Sequence, residues 1–395
     1  MFEIIGKWNR ATVYATTVDR ESYSQVMKLC NTEALQSSRI CMMPDMHAAG
    51  GCTVGTAMTF GDQLNPSYVG GDIGCGMQVY RLAAPIADFA VLDRFIRNEI
   101  PAGAAIRRSA HPAIRTLPLD AMACFSALSH ETVARSLGTL GGGNHFIEVD
   151  RDDEGRQYLI LHSGSRRLGR DVALYHQTQA FFQQHGISEE EAKKKKWKVS
   201  DVRSSLRPED CFLIGERLLR YLSDMTVAMA YADLNRKLMG EAILQGLSLT
   251  ADAAFTTVHN YVDTEAGILR KGAVSAKQGE TLLIPINMRD GSLLCTGRGN
   301  PDWNFSAPHG AGRVMKRAEA KERLSLADYE TEMEGIFTTS VGKSTLDESP
   351  MAYRRLTDIL DVIEPTASVD RLLTPVYNFK ASKSDTDGET ADGDD

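Results

Sequence analysis

An aspartate and a cysteine stand three positions apart in a glycine-rich segment, and these residue types suit a metal centre. Asp72 and Cys75 lie in the segment GGDIGCG, residues 70–76. Its glycines let the backbone fold tightly, so that both side chains can converge on one point. A soft thiolate beside a hard carboxylate can bridge two divalent ions, which a structural zinc site does not need. The pair therefore predicts a centre for two metal ions.

Four histidines lie in segments that can supply the missing ligands. Each has glycine, asparagine or serine as a neighbour, and they are His145, His162, His259 and His309. A single histidine is more often a polar core residue than a ligand, and that interpretation is kept for His111, His130, His176 and His185. Combined with the aspartate and the cysteine, the first group predicts two ions with open coordination positions. Such positions suit phosphate oxygens, whose charge two ions can share during in-line displacement.

His309 favours a different role from the other three. It lies between Pro308 and residues 310–312 (GAG), where backbone amides can receive phosphate oxygens. Arg313 and Arg166 could neutralise a transferring phosphate or grip it in a bidentate way. A neutral imidazole that attacks an α-phosphorus forms a phosphoramidate, a reactive carrier of a nucleotidyl group. The alternative is a turn histidine that caps a helix.

Composition sets bounds on the class of protein. The chain has 395 residues and a formal net charge of −8, which argues against a generally basic nucleic-acid-binding surface but leaves room for a local basic groove. Its seven cysteines, without an apolar N-terminal segment, indicate a reducing compartment, and we expect a cytoplasmic protein. No apolar run approaches the roughly 20 residues of a membrane-spanning helix, so no membrane partner is expected.

Short β-type runs alternate with glycines in the first half of the chain, and each suspected ligand lies at or just beyond the end of such a run. The runs cover residues 40–43, 77–82, 146–149 and 158–162, and strands are expected again within 267–295. Helices are expected over 170–185 and 209–244. Because no linker rich in Pro, Gly or Ser interrupts residues 1–380, one interwoven domain is expected there. The acidic residues 384–395 are expected to form a disordered tail.

Six segments together resemble the RtcB family of RNA ligases, and they occur in the family's order. They are MPDMH at 43–47, DIGCG at 72–76, GGNHFIE at 142–148, HSGSR at 162–166, HNY at 259–261 and HGAGR at 309–313. Members of this family join an RNA 3′-phosphate or 2′,3′-cyclic phosphate end to a 5′-hydroxyl end, using GTP and manganese. The resemblance spans roughly residues 40–380 and implies a single α+β domain over 1–380, with mixed sheets flanked by helices.

The resemblance also implies roles for individual residues. One ion is expected on Cys75, His162 and His259, and the other on Asp72, Cys75 and His145. His309 is expected to become guanylylated. Positions that resemble phosphate or nucleotide contacts are Asn144, Glu148, Arg166, Asn287, Ser292, Gly310, Ala311, Gly312, Arg313, Tyr353 and Lys380.

The implied cofactors are two Mn²⁺ ions and GTP, with Zn²⁺ or Co²⁺ able to replace manganese in vitro. The implied partner is broken RNA, and a monomer is expected. The sequence does not identify an activating protein.

Two departures from the family pattern lie in the expected nucleotide pocket. Many members have IPGSMG where this chain has IPINMR at 284–289, and a serine where Pro308 stands. They indicate a divergent branch and leave RNA repair and tRNA splicing both open. Two other functions stay open as well: a dinuclear phosphoesterase that opens cyclic phosphates without ligation, and an inactive RNA- or ribosome-associated binding protein.

Overall fold

Two large sheets organise the described part of the chain. The computed structural model describes residues 1–194 and 210–381, and the tail predicted at 384–395 lies outside these ranges. Its strands are β1 (Phe2–Ile5), β2 (Arg10–Val13), β3 (Ile40–His47), β4 (Val54–Thr59), β5 (Gln63–Leu64), β6 (Gly76–Leu82), β7 (Phe146–Arg151), β8 (Gln157–Ser163), β9 (Leu213–Ile214), β10 (Ala251–Val258), β11 (Asn260–Asp263), β12 (Ile268–Lys271), β13 (Ala273–Ser275), β14 (Thr281–Asn287), β15 (Gly291–Gly297), β16 (Ser306–Pro308) and β17 (Ala367–Lys380).

Helices cover the sheets and connect their strands. The α-helices in the described ranges are α1 (Arg20–Cys30), α2 (Phe89–Glu99), α3 (His130–Ser136), α4 (Arg166–Gln184), α5 (Glu189–Lys194), α6 (Gly215–Gly246), α7 (Arg317–Arg323), α8 (Leu326–Glu332) and α9 (Leu356–Ile363). Aspartates begin two of them, because the carboxylates of Asp19 and Asp88 accept hydrogen bonds from the first free amides of α1 and α2.

Strand order explains how distant segments meet. The six-stranded sheet has the order β1-β2-β3-β4-β12-β11, and the seven-stranded sheet has the order β10-β6-β8-β7-β17-β15-β14. Every neighbouring pair in the seven-stranded sheet is antiparallel. Two small sheets, β13-β16 and β5-β9, complete the pairing. The ends of β6, β7, β8 and β10 therefore lie side by side.

The two faces of the seven-stranded sheet are buried in different ways. Side chains alternate between the faces of a strand, so Ile147 and Val149 of β7 point to one side and Phe146 and Glu148 to the other. The first side packs against apolar residues of α2 and α6, including Ile96 and other members of one core cluster. The second side carries a smaller apolar cluster around Phe146. Polar side chains on this second side are therefore placed inside the protein.

The structure confirms the expected α+β class with mixed sheets flanked by helices, and it corrects two helix boundaries. The strands predicted at 77–82, 146–149 and 158–162 are confirmed, and the run at 40–43 continues to His47. The helix predicted from 170 begins already at Arg166, and the helix predicted from 209 begins at Gly215. Residues 213–214 instead form β9, which pairs with β5. Gly215 has a φ of +56°, which lies outside the α-helical range, so the helix does not extend back beyond this residue.

Candidate active site

The predicted metal ligands meet at one end of four adjacent strands. Cys75 directly precedes β6, His145 directly precedes β7, His162 lies near the end of β8, and His259 follows β10. The pairing of β6 with β8 and of β7 with β8 places His162 beside the first residues of both neighbours. Sequence spacing alone could not show this convergence, because the ligands are far apart in the chain.

Short distances join all five predicted ligands. The Sγ of Cys75 lies 3.2 Å from Nε2 of His162 and 3.4 Å from Nε2 of His145. The Nε2 atoms of His162 and His259 are 3.4 Å apart. An oxygen of Asp72 lies 3.0 Å from Nε2 of His145. One sulfur, three imidazole nitrogens and one carboxylate thus face a common centre.

Backbone carbonyls fix two of the imidazoles in the form that a metal requires. Nδ1 of His145 lies 3.0 Å from the carbonyl of Leu140, and Nδ1 of His162 lies 3.2 Å from that of Asn144. A carbonyl only accepts, so each Nδ1 carries the proton and each Nε2 presents its lone pair to the centre. Burial lowers the pKa values of His162 and His259 well below the ordinary value for histidine, and neighbouring histidines lower them further.

The donor set fits divalent metal ions. Thiolate and neutral imidazole are ligands of Zn²⁺, Co²⁺ and related ions, and a carboxylate extends the set toward Mn²⁺. Three of the ligating atoms, on Cys75, His145 and His162, all lie within 4.8 Å of one another. A divalent cation would offset the repulsion between buried lone pairs that converge in this way.

His309 lies next to this cluster and is held by a carboxylate. Its ring centre is 4.7 Å from that of His259. One oxygen of the buried Asp45 accepts the Nδ1–H of His309 at 2.7 Å, and it also accepts the backbone N–H groups of His309 at 3.1 Å and Gly310 at 3.2 Å. At Gly312, with a φ of +74°, a Cβ would lie only 2.1 Å from the carbonyl oxygen of Asp45. The loop can therefore wrap Asp45 only because glycine stands there.

Glu348 gathers three of the predicted nucleotide contacts. Its carboxylate lies 2.7 Å from Nζ of Lys380 and 3.3 Å from a guanidinium nitrogen of Arg313. Tyr353 donates its hydroxyl to Glu348 at 2.7 Å, and Arg317 forms a further ion pair with the same carboxylate. Burial, then the charge of Glu348, raises the pKa of Tyr353 well above its usual value, so Tyr353 is a fixed donor.

A cavity of about 290 Å³ connects these groups. All the predicted metal ligands except His145 line this cavity, and so does His309. The predicted nucleotide contacts on its wall are Asn144, Glu148, Asn287, Gly310, Ala311, Gly312, Arg313, Tyr353 and Lys380. The structure does not bring Arg166 or Ser292 to its wall. The guanidinium of Arg166 lies against Gly141, where an added Cβ would be 1.9 Å from it, and Ser292 is fully buried beside Asp150.

The departure at 284–289 covers the end of β14 and the start of the turn that follows it, at the edge of this cavity. The side chain of Asn287 donates to Asp290 at 2.9 Å and accepts the backbone N–H of Arg289 at 3.0 Å. Arg289 forms ion pairs with Asp290 and with Glu332 of α8. Asn287 lines the cavity, but part of its hydrogen-bonding capacity is used within the turn.

A comparison with known families settles the membership of the chain. The family model described as "tRNA-splicing ligase RtcB" matches residues 25–122 and 117–381. The chain belongs to the RtcB family. It is 30% identical over 381 residues to the RNA-splicing ligase RtcB of Escherichia coli (strain K12), covering 86% of this chain and 88% of the relative. It is 27% identical over 370 residues to RNA-splicing ligase RtcB2 of Escherichia coli (strain ATCC 25922), covering 85% and 87%.

An archaeal relative extends the match. The tRNA-splicing ligase RtcB of Archaeoglobus fulgidus is 24% identical over 455 residues, covering 93% of this chain and 92% of the relative. Membership of the RtcB family indicates an RNA ligase that acts on RNA substrates and depends on metal. In the described residues, no helix is both long and apolar enough to cross a membrane.

Three site residues escaped the sequence analysis: Asp45, Glu348 and Asn378. Asp45 lies within the segment 43–47 that carried the family resemblance, but the resemblance assigned no role to it. Asn378 donates to the carboxylate of Glu148 from the neighbouring strand β17. No local signal marks Glu348 or Asn378, because their partners are distant in sequence.

Proposed function

We propose that this RtcB chain is a GTP- and Mn²⁺-dependent ligase that joins RNA 3′-phosphate or 2′,3′-cyclic phosphate ends to 5′-hydroxyl ends through a guanylylated His309. The observation that carries the proposal is the position of His309, fixed by Asp45 and in ring contact with the ligand cluster. A metal centre that only hydrolyses phosphate esters would not need a histidine outside the ligand set that is held by its own carboxylate.

His309 is prepared for nucleophilic attack by its hydrogen bond. The Asp45 carboxylate accepts the Nδ1–H at 2.7 Å, which leaves the lone pair on Nε2. Attack by Nε2 on the α-phosphorus of GTP forms a P–N bond and breaks the α–β anhydride bond, and pyrophosphate leaves. The imidazolium that results keeps its Nδ1 proton, and the buried carboxylate stabilises its positive charge.

Two further transfers complete the reaction. An oxygen of the RNA 3′-phosphate attacks the same phosphorus, the P–N bond breaks, and His309 returns to its neutral form. The 5′-hydroxyl then attacks the RNA phosphorus, a phosphodiester bond forms, its proton goes to solvent, and GMP leaves. A cyclic phosphate must first be opened by water to a 3′-phosphate.

The metal ligands are assigned as the family resemblance implies. Cys75, His162 and His259 would hold one ion, and Asp72, Cys75 and His145 the other. When bound, such ions neutralise phosphate charge and accept developing negative charge. Because affinity at thiolate–imidazole sites favours zinc over manganese, occupancy by Mn²⁺ would depend on availability in the cell.

The nucleotide would occupy the part of the cavity beyond His309. The backbone amides of Ala311 and Gly312 and the positive charge of Arg313 suit phosphate oxygens, whereas the Gly310 N–H is already donated to Asp45. The acceptor Glu148 suits the N–H donors on the edge of a guanine base. Reaction in the cytoplasm is part of the proposal, and it agrees with seven cysteines that are all free.

Covalent labelling tests the proposal. Protein loaded with Mn²⁺ and incubated with GTP labelled at the α-phosphate should retain label in alkali and lose it in acid, as a P–N bond does. His309→Ala should lose the label but keep both metals, whereas His185→Ala, which alters an exposed histidine at the end of α4, should label normally.

The RNA products separate the alternatives. His309→Ala should still join RNA whose 3′ end already carries the guanylyl group, because that last transfer does not use His309. ATP should be run beside GTP, and labelling by ATP alone would overturn the guanine assignment. If neither GTP nor ATP labels protein that carries two metals, the phosphoesterase is favoured.

A further inference from the structure

Asp150 lies directly behind Glu148 on the inner face of β7. Residues two apart in a strand share a face, so Glu148 and Asp150 point to the same side of the sheet. Their side chains are almost inaccessible, with relative exposures of 3% and 0%. Glu148 lines the cavity, whereas Asp150 does not. As neighbours on one face of the strand, the two carboxyl groups lie close enough for each to shift the pKa of the other.

The surroundings offer these two acids little compensation. Asn378 donates to one oxygen of Glu148. In the described residues, neither oxygen of Asp150 receives a hydrogen bond of regular geometry, and the hydroxyl of the adjacent Ser292 has no such bond either. The nearest cation, Lys380, is paired with Glu348.

Other titratable groups around Asp150 are also engaged. Tyr158, the partner of Asp150 on β8, donates its hydroxyl to Asp152 at 3.1 Å. Pro375, the partner on β17, carries no titratable group. The apolar cluster around Phe146 lies on the same face. In the described residues, the side chains that act on the Asp150 carboxyl are Glu148 and Ser292.

Two adjacent carboxyl groups in such surroundings cannot both be ionised. Burial disfavours each charge, and the two charges would repel across the contact. Burial raises the pKa of both groups, and the charge of Glu148 raises that of Asp150 further. Because Asn378 donates to Glu148 while neither oxygen of Asp150 receives such a bond, the shared proton is assigned to Asp150, next to Glu148.

We propose that Asp150 is a positioning residue that donates a hydrogen bond to Glu148 and so aims the Glu148 carboxylate at the N–H donors of a guanine-type base. Guanine presents two adjacent donors, N1–H and the 2-amino group, to such an acceptor. Adenine has an acceptor at N1, and hypoxanthine lacks the amino group. The inference rests on the proposed guanine nucleotide.

Three substitutions separate orientation from mere packing. Asp150→Val removes the donor and keeps a side chain suited to a strand, and Asp150→Asn keeps a donor without the acid. Removing a buried acid whose oxygens receive no hydrogen bond of regular geometry also removes its desolvation cost, so Asp150→Val is expected to fold. Asp152→Asn is the matched control, because that carboxylate is paired with Arg156.

The first measurement is the rate of covalent labelling with GTP and with inosine triphosphate over a range of concentrations. We expect Asp150→Val to raise the KM for GTP about ten- to hundredfold, as expected for one misaligned charged hydrogen bond, and to reduce the preference for GTP over inosine triphosphate. The maximal labelling rate should change less than about twofold, because Asp150 is remote from the phosphates. Asp150→Asn should restore most of the preference.

The second measurement is calorimetric binding of GMP and IMP, which needs no reaction at His309. An unchanged preference for GMP over IMP in Asp150→Val would overturn the inference. An equal loss of this preference in Asp150→Val and Asp150→Asn would also overturn it, because it would indicate that Asp150 acts through packing alone. Asp150→Leu serves the same comparison if the valine variant does not fold. If wild-type protein takes no label yet binds GMP better than IMP, the proposed ligase chemistry fails while the inference about Asp150 stands.

Discussion

Asp45→Asn is the substitution that most directly tests how His309 is activated. Asparagine keeps the shape of the side chain and one oxygen, which can still accept the backbone N–H groups of His309 and Gly310, now at 3.1 and 3.2 Å. The loop should therefore hold. What disappears is the negative charge that lies 2.7 Å from Nδ1 of His309.

The size of the effect follows from that distance. At an effective dielectric constant of about 20, opposite unit charges 2.7 Å apart attract by about 6 kcal/mol. This attraction favours the imidazolium that forms when Nε2 attacks phosphorus, and it is an upper bound, because the amide oxygen still offers a dipole. With about 1.36 kcal/mol per factor of ten, we expect the rate of guanylylation to fall by roughly 10²- to 10⁴-fold.

Single-turnover labelling with α-labelled GTP measures this rate, alongside metal analysis of the same protein. The metal content should be unchanged, since Asp45 contacts none of the ligands proposed here. Asp88→Asn, which alters the cap of α2, should label like the wild type. A loss smaller than about fivefold in fully metal-loaded Asp45→Asn would refute the activating role of the carboxylate.

Two further substitutions test the cluster and the nucleotide pocket. Cys75→Ser should lose metal from both positions and lose activity, since an alkoxide is far harder to form than a thiolate, while Cys295→Ala, also buried, should keep two metals by elemental analysis. Glu348→Gln should lower the free energy of unfolding by about 3–5 kcal/mol in urea titrations, because it leaves the buried ammonium of Lys380 without its carboxylate partner, whereas Glu319→Gln on an exposed pair should cost less than about 1 kcal/mol. Although burial alone would raise it, Lys380, Arg317 and Arg313 hold the pKa of Glu348 well below its usual range. Its contribution to stability should therefore be complete above about pH 4.3, the ordinary value for glutamate, decline as the pH falls toward the lower folded-state pKa, and be absent from the pH profile of Glu348→Gln.

Three of the four strands that carry the ligands could be predicted from sequence because their signals are local. Short apolar runs next to a glycine or a histidine indicate β6, β7 and β8, whereas β10, which leads to His259, was not predicted. The helix boundaries were less accessible. Arg166 begins α4 with a φ of +53°, a conformation that side chains rarely adopt and that no propensity predicts.

Asp45 and Glu348 show what local patterns do not contain. Pro44 interrupts the ladder between β3 and β4, whose register shifts between Met42 and His47, and Asp45 lies inside that irregularity. A proline in a strand is a signal for such a break, but it does not reveal that the freed side chain reaches residue 309. Glu348 lies in a short 3-10 helix, Lys343–Glu348, and its partners come from three other segments.

The site also depends on the junction between the two large sheets. Asp45 belongs to the six-stranded sheet, whereas the metal ligands end strands of the seven-stranded sheet. The small sheet β13-β16 joins them, because Ala273 donates its N–H to the carbonyl of His259 at 3.3 Å and pairs in register with Pro308. At Gly272, with a φ of +59°, a Cβ would lie 2.2 Å from Val54 and 3.2 Å from the ring of His309. Glycine is therefore required where the nucleophile approaches the junction.

Pro308, one of the two departures from the family pattern, fits this arrangement. Proline lacks an N–H and is tolerated in a strand only where no partner needs that donor. In the described residues β16 pairs with β13 alone, so one side of Pro308 makes no ladder hydrogen bond. The ring instead fixes the backbone φ of the residue that immediately precedes the nucleophile. Pro308 does not line the cavity, so the loss of a serine hydroxyl at this position leaves Asp45, His309 and the ligands behind them undisturbed.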